Sequence, residues 1–288
     1  MDNRPVGIFD SGLGGLASFR TLRALLPDEN IIYFGDTGRN PYGVRPQEEL
    51  RRMARQDMEL AAALGAKAII AACGPVSSTA PDVLAGFRLP VYNVIDASVK
   101  KLGAVKGFSS MNENIESSQK FPMRPVAPLG VIATSASIKS GAFRRRLEAL
   151  CPGREIVDIA CQDFVRLVET GHTAAGDEQL AAAAEEYLAP MREKGVCALL
   201  LGCTHFDFAA DAIRECLGGA ALVSAAGCAA ESMCAYLEEN GLTGRGGSSE
   251  FYTSGDPAEF AAHAEGLLGY GIAGHVHAAS ADGMEDGA

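Results

Sequence analysis

Two cysteines stand where they could do chemistry. Cys73 follows the apolar run Ala68 to Ala72 and opens the turn Cys73-Gly74-Pro75, while Cys203 follows Ala198 to Gly202 and precedes Thr204 and His205. A glycine lies eight residues before each, Gly65 and Gly195. An apolar run that ends in polar turn residues reads as a buried strand delivering those residues to the carboxyl end of a sheet. Two such thiols on opposite sides of one carbon form a matched acid and base. One takes a proton from one face, the other returns a proton to the opposite face, and the stereocentre inverts. Cysteine suits the task because its ordinary pKa, about 8.5, lets a modest shift give one thiolate and one thiol near neutrality. Abstracting a proton beside a carboxylate is hard without an electron sink, and the chain shows no evident pyridoxal lysine or metal cluster. Such a site must exclude water and surround the developing charge with fixed donors. His205, and Asp10 at the end of the first apolar run, are the groups placed to tune the thiols. Asp10 reads equally well as a helix N-cap. Cys151, Cys161, Cys197, Cys216, Cys228 and Cys234 read as packing residues.

The elements that must position these groups alternate strand and helix. Val6 to Phe9 is a strand that runs through Asp10-Ser11-Gly12-Leu13-Gly14-Gly15 into a helix ending at Leu26. That loop lacks the spacing of a dinucleotide or nucleotide triphosphate site, although its N–H groups at a helix start suit a carboxylate. Ile31 to Phe34 is a second strand, followed by the turn-rich loop Gly35 to Gly43 and an amphipathic helix from Gln47 to Leu64. The strands at Ala68 to Ala72 and Pro90 to Ile95 complete this half. After Lys100 the periodicity is lost, and the polar segment 107–120 reads as a mobile insertion. The order then repeats. A strand at Gly130 to Ala133 ends in the hydroxyls of Thr134 to Ser137, a strand at Glu155 to Ala160 ends in Cys161, and a helix covers Ala174 to Lys194 before Ala198 to Cys203. A diverged internal duplication accounts for this, and two halves facing each other would place Cys73 opposite Cys203. Strands apolar on both faces and separated by helices predict an α/β protein of two pseudo-symmetric domains, each a parallel-type sheet flanked by helices, with the site in the cleft between them. The expected division is 1–97 plus 227–273, 98–226, and a disordered tail 274–288 in which His275 and His277 carry no metal.

Composition narrows the function classes. A chain of 288 residues, 48% hydrophobic, can bury a sizeable core, and no apolar run is long enough to span a bilayer. The start, Met1 to Gly12, lacks the apolar region and cleavage pattern of a secretory signal, so a cytoplasmic protein with reduced thiols is expected. A net charge of -11 disfavours a nucleic-acid partner, and Arg144 to Arg146 read as a solvated helix face. No cysteine shows the paired short spacing of a zinc site.

These residues place the chain beside a known family. Gly7-Ile8-Phe9-Asp10-Ser11-Gly12 with Gly14-Gly15, Tyr33 to Thr37 followed by Pro41-Tyr42-Gly43, and Gly202-Cys203-Thr204-His205 make it similar to glutamate racemases of the aspartate/glutamate racemase superfamily. Thr134 with Ser137, Lys139-Ser140-Gly141, and Phe251 to Asp256 fit as well. The resemblance implies a cofactor-independent bacterial isomerase, a homodimer without nucleic-acid or membrane partners, that supplies D-glutamate for peptidoglycan and hence for cell shape. By position it implies Cys73 and Cys203 as the two bases and Asp10 and His205 as their tuning partners. Ser11, Pro41, Tyr42, Gly43, Thr134, Ser137 and Thr204 would contact the amino acid, together with whatever stands at positions 74 and 75. There the chain departs from the family, with Gly74-Pro75 in place of Asn-Thr, which removes an amide, a hydroxyl and one backbone N–H. Gln162 and Asp207 stand at family prolines, and Ser224 at a family aspartate. Three functions therefore compete: a glutamate racemase, the same thiol pair acting on another 2-substituted acid such as aspartate, and a weakened homologue kept for binding.

Overall fold

The computed structural model describes residues 1–105 and 127–284. The expected insertion at 107–120 lies outside them. The strands in chain order are β1 (Val6–Asp10), β2 (Ile31–Gly35), β3 (Ala68–Ala71), β4 (Val91–Asn93) and β5 (Leu129–Ala133). They continue with β6 (Ile156–Ala160), β7 (Ala198–Leu201), β8 (Ala221–Ser224), β9 (Ser249–Thr253) and β10 (Val276–Ala278). Every pairing between them is parallel. One sheet has six strands in the order β10-β9-β2-β1-β3-β4, and the other has four in the order β6-β5-β7-β8.

Parallel strands need helical crossovers, and helices on both faces bury every residue of β1, β2, β3, β5 and β7. This is why each reads as an unbroken apolar run. The duplication is visible in the sheets, because β2-β1-β3-β4 and β6-β5-β7-β8 are the same order. In each half the chain leaves its first strand towards one edge and returns on the other side. The resulting switch points, between β1 and β3 and between β5 and β7, are where an open parallel sheet leaves a crevice beyond its carboxyl ends. Asp10 and Cys73 stand at the first, Thr134 and Cys203 at the second.

The halves share one core. Ile8, Tyr33 and Ile70 from the first sheet and Val131, Leu199 and Leu200 from the second belong to a single buried cluster. The helix Ala225–Glu239 ties them together: it starts from β8, packs against the helices Leu16–Leu25 and Val94–Gly103, and accepts the Ser18 hydroxyl at its Ala226 carbonyl, 3.2 Å away. The helix expected from Ala174 starts instead at Glu178, because the Asp177 carboxylate accepts the N–H groups of Gln179 and Leu180, both at 3.0 Å, and caps it.

The disordered tail expected from residue 274 is corrected over its described part. Val276 to Ala278 pair with Phe251 to Thr253, the Ala279 N–H donates to the Thr253 carbonyl at 2.8 Å, and Ala281 is buried. His275 and His277 both contact the Glu250 carboxylate, at 3.3 and 2.8 Å. A three-residue edge strand has too few positions to show an alternating pattern, and its order comes from the neighbouring strand.

Candidate active site

The carboxyl ends of β1, β3, β5 and β7 open on one cavity of about 580 Å³. Cys203 lines it, and its Sγ lies 3.7 Å from His205 Nδ1. The other ring nitrogen, Nε2, is 3.2 Å from Glu169 Oε1. Burial works against a charged imidazole here. The hydrogen bonds to Cys203 and Glu169, with the charges of Cys203 and Asp10, outweigh burial and raise the His205 pKa to about 10. His205 is therefore an imidazolium at neutral pH, a fixed positive charge beside the Cys203 sulfur. The turn Asp10 to Gly15 presses against it so closely that a Cβ on Gly14 would collide with His205 Nδ1 and Thr204 Oγ1.

Cys73 sits at the other switch point, 1% exposed, behind Ser11 and Gly74, which line the cavity. Burial pushes its thiol well above the ordinary range and the Asp10 charge adds to this, while the Val76 N–H and the Ser11 hydroxyl favour the thiolate. The two sulfurs thus meet different surroundings, one beside a cation and the other deeply buried beside the Asp10 carboxylate. Asp10 lines the cavity and accepts the Gly15 N–H at 3.0 Å, so it serves the start of the following helix while facing the site. Burial raises its pKa, against the pull of the His205 charge and the N–H groups of Gly15, Ser11 and Gly12.

Ser11, Pro41, Tyr42, Gly43, Gly74, Pro75, Thr134 and Thr204 also line the cavity. Ser137 does not. It lies behind Gly74, and its hydroxyl oxygen accepts the Thr134 hydroxyl at 3.1 Å. Tyr42 lines the wall, but its own hydroxyl is committed elsewhere, hydrogen-bonded to Asp36 and, at 2.8 Å, to Asp57. Arg39 clamps both carboxylates at 2.6 Å, which fixes the loop that carries Pro41 to Gly43.

Comparison with known proteins follows from this geometry. No family model matches the chain. The glutamate racemase of Thermus thermophilus is 36% identical over 267 residues, 91% of this chain and 92% of that protein. The chain belongs to the glutamate racemase family. The glutamate racemase of Corynebacterium diphtheriae is 35% identical over 274 residues, 93% of this chain and 96% of its own length. The structure of the Francisella tularensis glutamate racemase in complex with D-glutamate covers 98% of this chain and 99% of its own, with a TM-score of 0.82 and 31% identity.

Glu169, Asn40 and Arg166 are cleft residues that sequence reasoning missed, while Gln162 and Lys139, singled out there as a departure and a motif residue, line the cleft as well. Glu169 ends the helix Gln162–Glu169, where a carboxylate reads as solvated surface, and its bond to His205 spans 36 residues of chain. Two residues noted as departures from the family lie together. Asp207 and Ser224 face each other, and the Ser224 hydroxyl that favours the Asp207 carboxylate also accepts the Gly227 N–H at 2.7 Å. The Oδ2 of Asp207 is buried with no partner among the described residues, and burial raises the pKa to about 7 against the pull of Ser224 and Arg20. An acid whose folded pKa is raised is penalised once ionised, so the penalty is absent below about pH 4 and complete above about pH 7. Asp207→Asn is therefore expected to stabilise the protein by about 1 to 3 kcal/mol at about pH 8 and to leave it unchanged at about pH 4. Urea unfolding at the two pH values measures this, and equal stability at the higher one would count against the assignment.

Proposed function

We propose that this chain is a cofactor-independent racemase that interconverts L- and D-glutamate, with Cys203 and Cys73 as its two bases. The observation that carries the reading is the unequal setting of the two sulfurs at equivalent switch points, Cys203 lining the cavity and Cys73 buried outside its lining next to Gly74, which lines it. The His205 imidazolium lies beside the Cys203 sulfur, and burial holds Cys73 as a thiol. Cys203 takes the Cα proton from one face, forming S–H as C–H breaks. Cys73 gives its proton to the opposite face, and its new thiolate is met by the Ser11 hydroxyl and the Val76 N–H. The reverse reaction starts from that state with the roles exchanged. The hydroxyls of Ser11, Thr134 and Thr204 and the backbone of Tyr42 and Gly43 are placed to hold the substrate's polar groups.

The role implied for the family, D-glutamate supply for peptidoglycan by a cytoplasmic homodimer, is part of this proposal. Among the described residues no helix is long and apolar enough to cross a membrane. The test is proton exchange in deuterated water. Either enantiomer of glutamate should lose its Cα proton signal as the optical rotation decays to zero. Absence of exchange with both would remove glutamate as substrate. A second reading, another 2-substituted acid such as aspartate, is favoured by Gly74-Pro75 alone. A thermal-shift comparison of dicarboxylates and amino acids separates the two, because a ligand that binds only the folded state raises the melting temperature.

A further inference from the structure

Gln162 begins its helix directly after Cys161 and lines the cavity. Its Oε1 accepts the backbone N–H of Ser135 at 3.3 Å. A backbone N–H can only donate, so the atom facing it is the carbonyl oxygen, and the amide nitrogen is turned the other way. That nitrogen carries two donors, and among the described residues no protein acceptor takes them.

The place where this amide is anchored matters. Ser135 is followed by Ala136, whose Cβ lies 3.6 Å from where a Cβ on Gly43 would be, and Pro75 Cγ lies 4.0 Å from the same point. Ala136, Gly43 and Pro75 thus meet at one corner of the cavity, and Gln162 is tethered one residue away. The two residues after Cys73 give that corner no side-chain donor. Pro75 has no N–H, and Gly74 has no side chain. A Cβ on Gly74 would already stand 3.3 Å from Ser137 Oγ, so this wall is closed rather than hollowed. A dicarboxylate entering the cleft finds hydroxyls, backbone, Asn40 and the cations Lys139 and Arg166 around the cavity and, at this corner, the amide of Gln162.

We infer that Gln162 is a substrate-contacting residue, its Nε2 donating to a carboxylate oxygen of the amino acid at the corner where Gly74 and Pro75 offer no side-chain donor. The inference rests on the racemase reading above. It makes the helix Gln162–Glu169 a determinant of substrate affinity, in place of the turn that follows Cys73.

Gln162→Glu separates this role from a merely structural one. The glutamate variant keeps an oxygen for the Ser135 N–H but presents a second oxygen where the donor was, which repels a carboxylate. Its KM for glutamate is expected to rise about tenfold or more, with kcat changed by less than about threefold. Gln162→Ala, which loses both contacts, should also raise KM and serves as the second variant if the first does not fold. Adding Gly74→Asn with Pro75→Thr to Gln162→Ala should recover part of the loss. An unchanged KM in Gln162→Glu, or in Gln162→Ala where that is the folded variant, would show that the amide only supports the turn and would overturn the inference alone. An unmodified protein that neither turns over nor binds glutamate would overturn the racemase reading and this inference together.

Discussion

Cys203→Ala and Cys73→Ala are each expected to lower the rate of glutamate racemisation by about a thousandfold or more, because each removes one of two proton-transfer groups that a single inversion needs. The residual chemistry should be telling. A protein with one thiol can still remove a proton and return one to the same face, so each variant should wash solvent deuterium into one enantiomer without inverting it. Cys73→Ala should act on the enantiomer that Cys203 serves, and Cys203→Ala on the other. Nuclear magnetic resonance of the Cα proton with each pure enantiomer reads this directly. Racemisation at the parent rate by either variant, or exchange of the same enantiomer by both, would remove the two-base assignment. The enantiomers have equal free energy, so kcat/KM must stay equal in the two directions in every variant.

The second large effect is expected from Glu169→Gln and depends on pH. Glu169 is one of the groups that keep His205 charged against burial. Without its carboxylate the imidazolium gives up its proton at lower pH, and the positive charge beside Cys203 is lost in the range where the parent keeps it. Relative to the parent, kcat/KM should fall about tenfold or more near pH 8.5 and stay within about threefold near pH 6, with the alkaline limb of the profile displaced towards acid. Stability should follow the same sign. A histidine whose folded pKa is raised contributes stability that is fully present below about pH 6.5 and is lost as pH rises through about 10; in Glu169→Gln the loss comes earlier. A profile parallel to that of the parent at all pH values would mean that Glu169 does not act through His205.

The parts of this protein that could be read from its residues are those where one physical cause dominates. β1, β3, β5 and β7 are buried on both faces, and such strands must be written in unbroken apolar residues, so their ends and the groups placed there were legible. The repeated order of elements was legible for the same reason. What escaped depends on contacts far apart in sequence. Glu169 looks like a surface carboxylate until the fold lays His205 beside it. The motif gave the position of Tyr42 and not its direction: the residue lines the cavity, and its phenol is held by Asp36 and Asp57. Asp207 and Ser224 read as two unrelated departures, and only the fold shows that they touch. The strand at Val276 to Ala278 was hidden by its brevity.

The order of strands in the six-stranded sheet also bears on how the chain reaches this state. β2 pairs on one side with β1 and on the other with β9, Tyr33 opposite Phe251, and β9 begins at Ser249, after all four strands of the other sheet. During synthesis the first half must wait, with β2 an open edge that is apolar on both faces, until the second half has been made. An exposed apolar edge is a template for pairing with another chain. A protein cut before residue 249 would retain both cysteines and every cavity-lining residue named above, yet carry a bare β2, and its fate would be decided by self-association and not by the integrity of its catalytic groups.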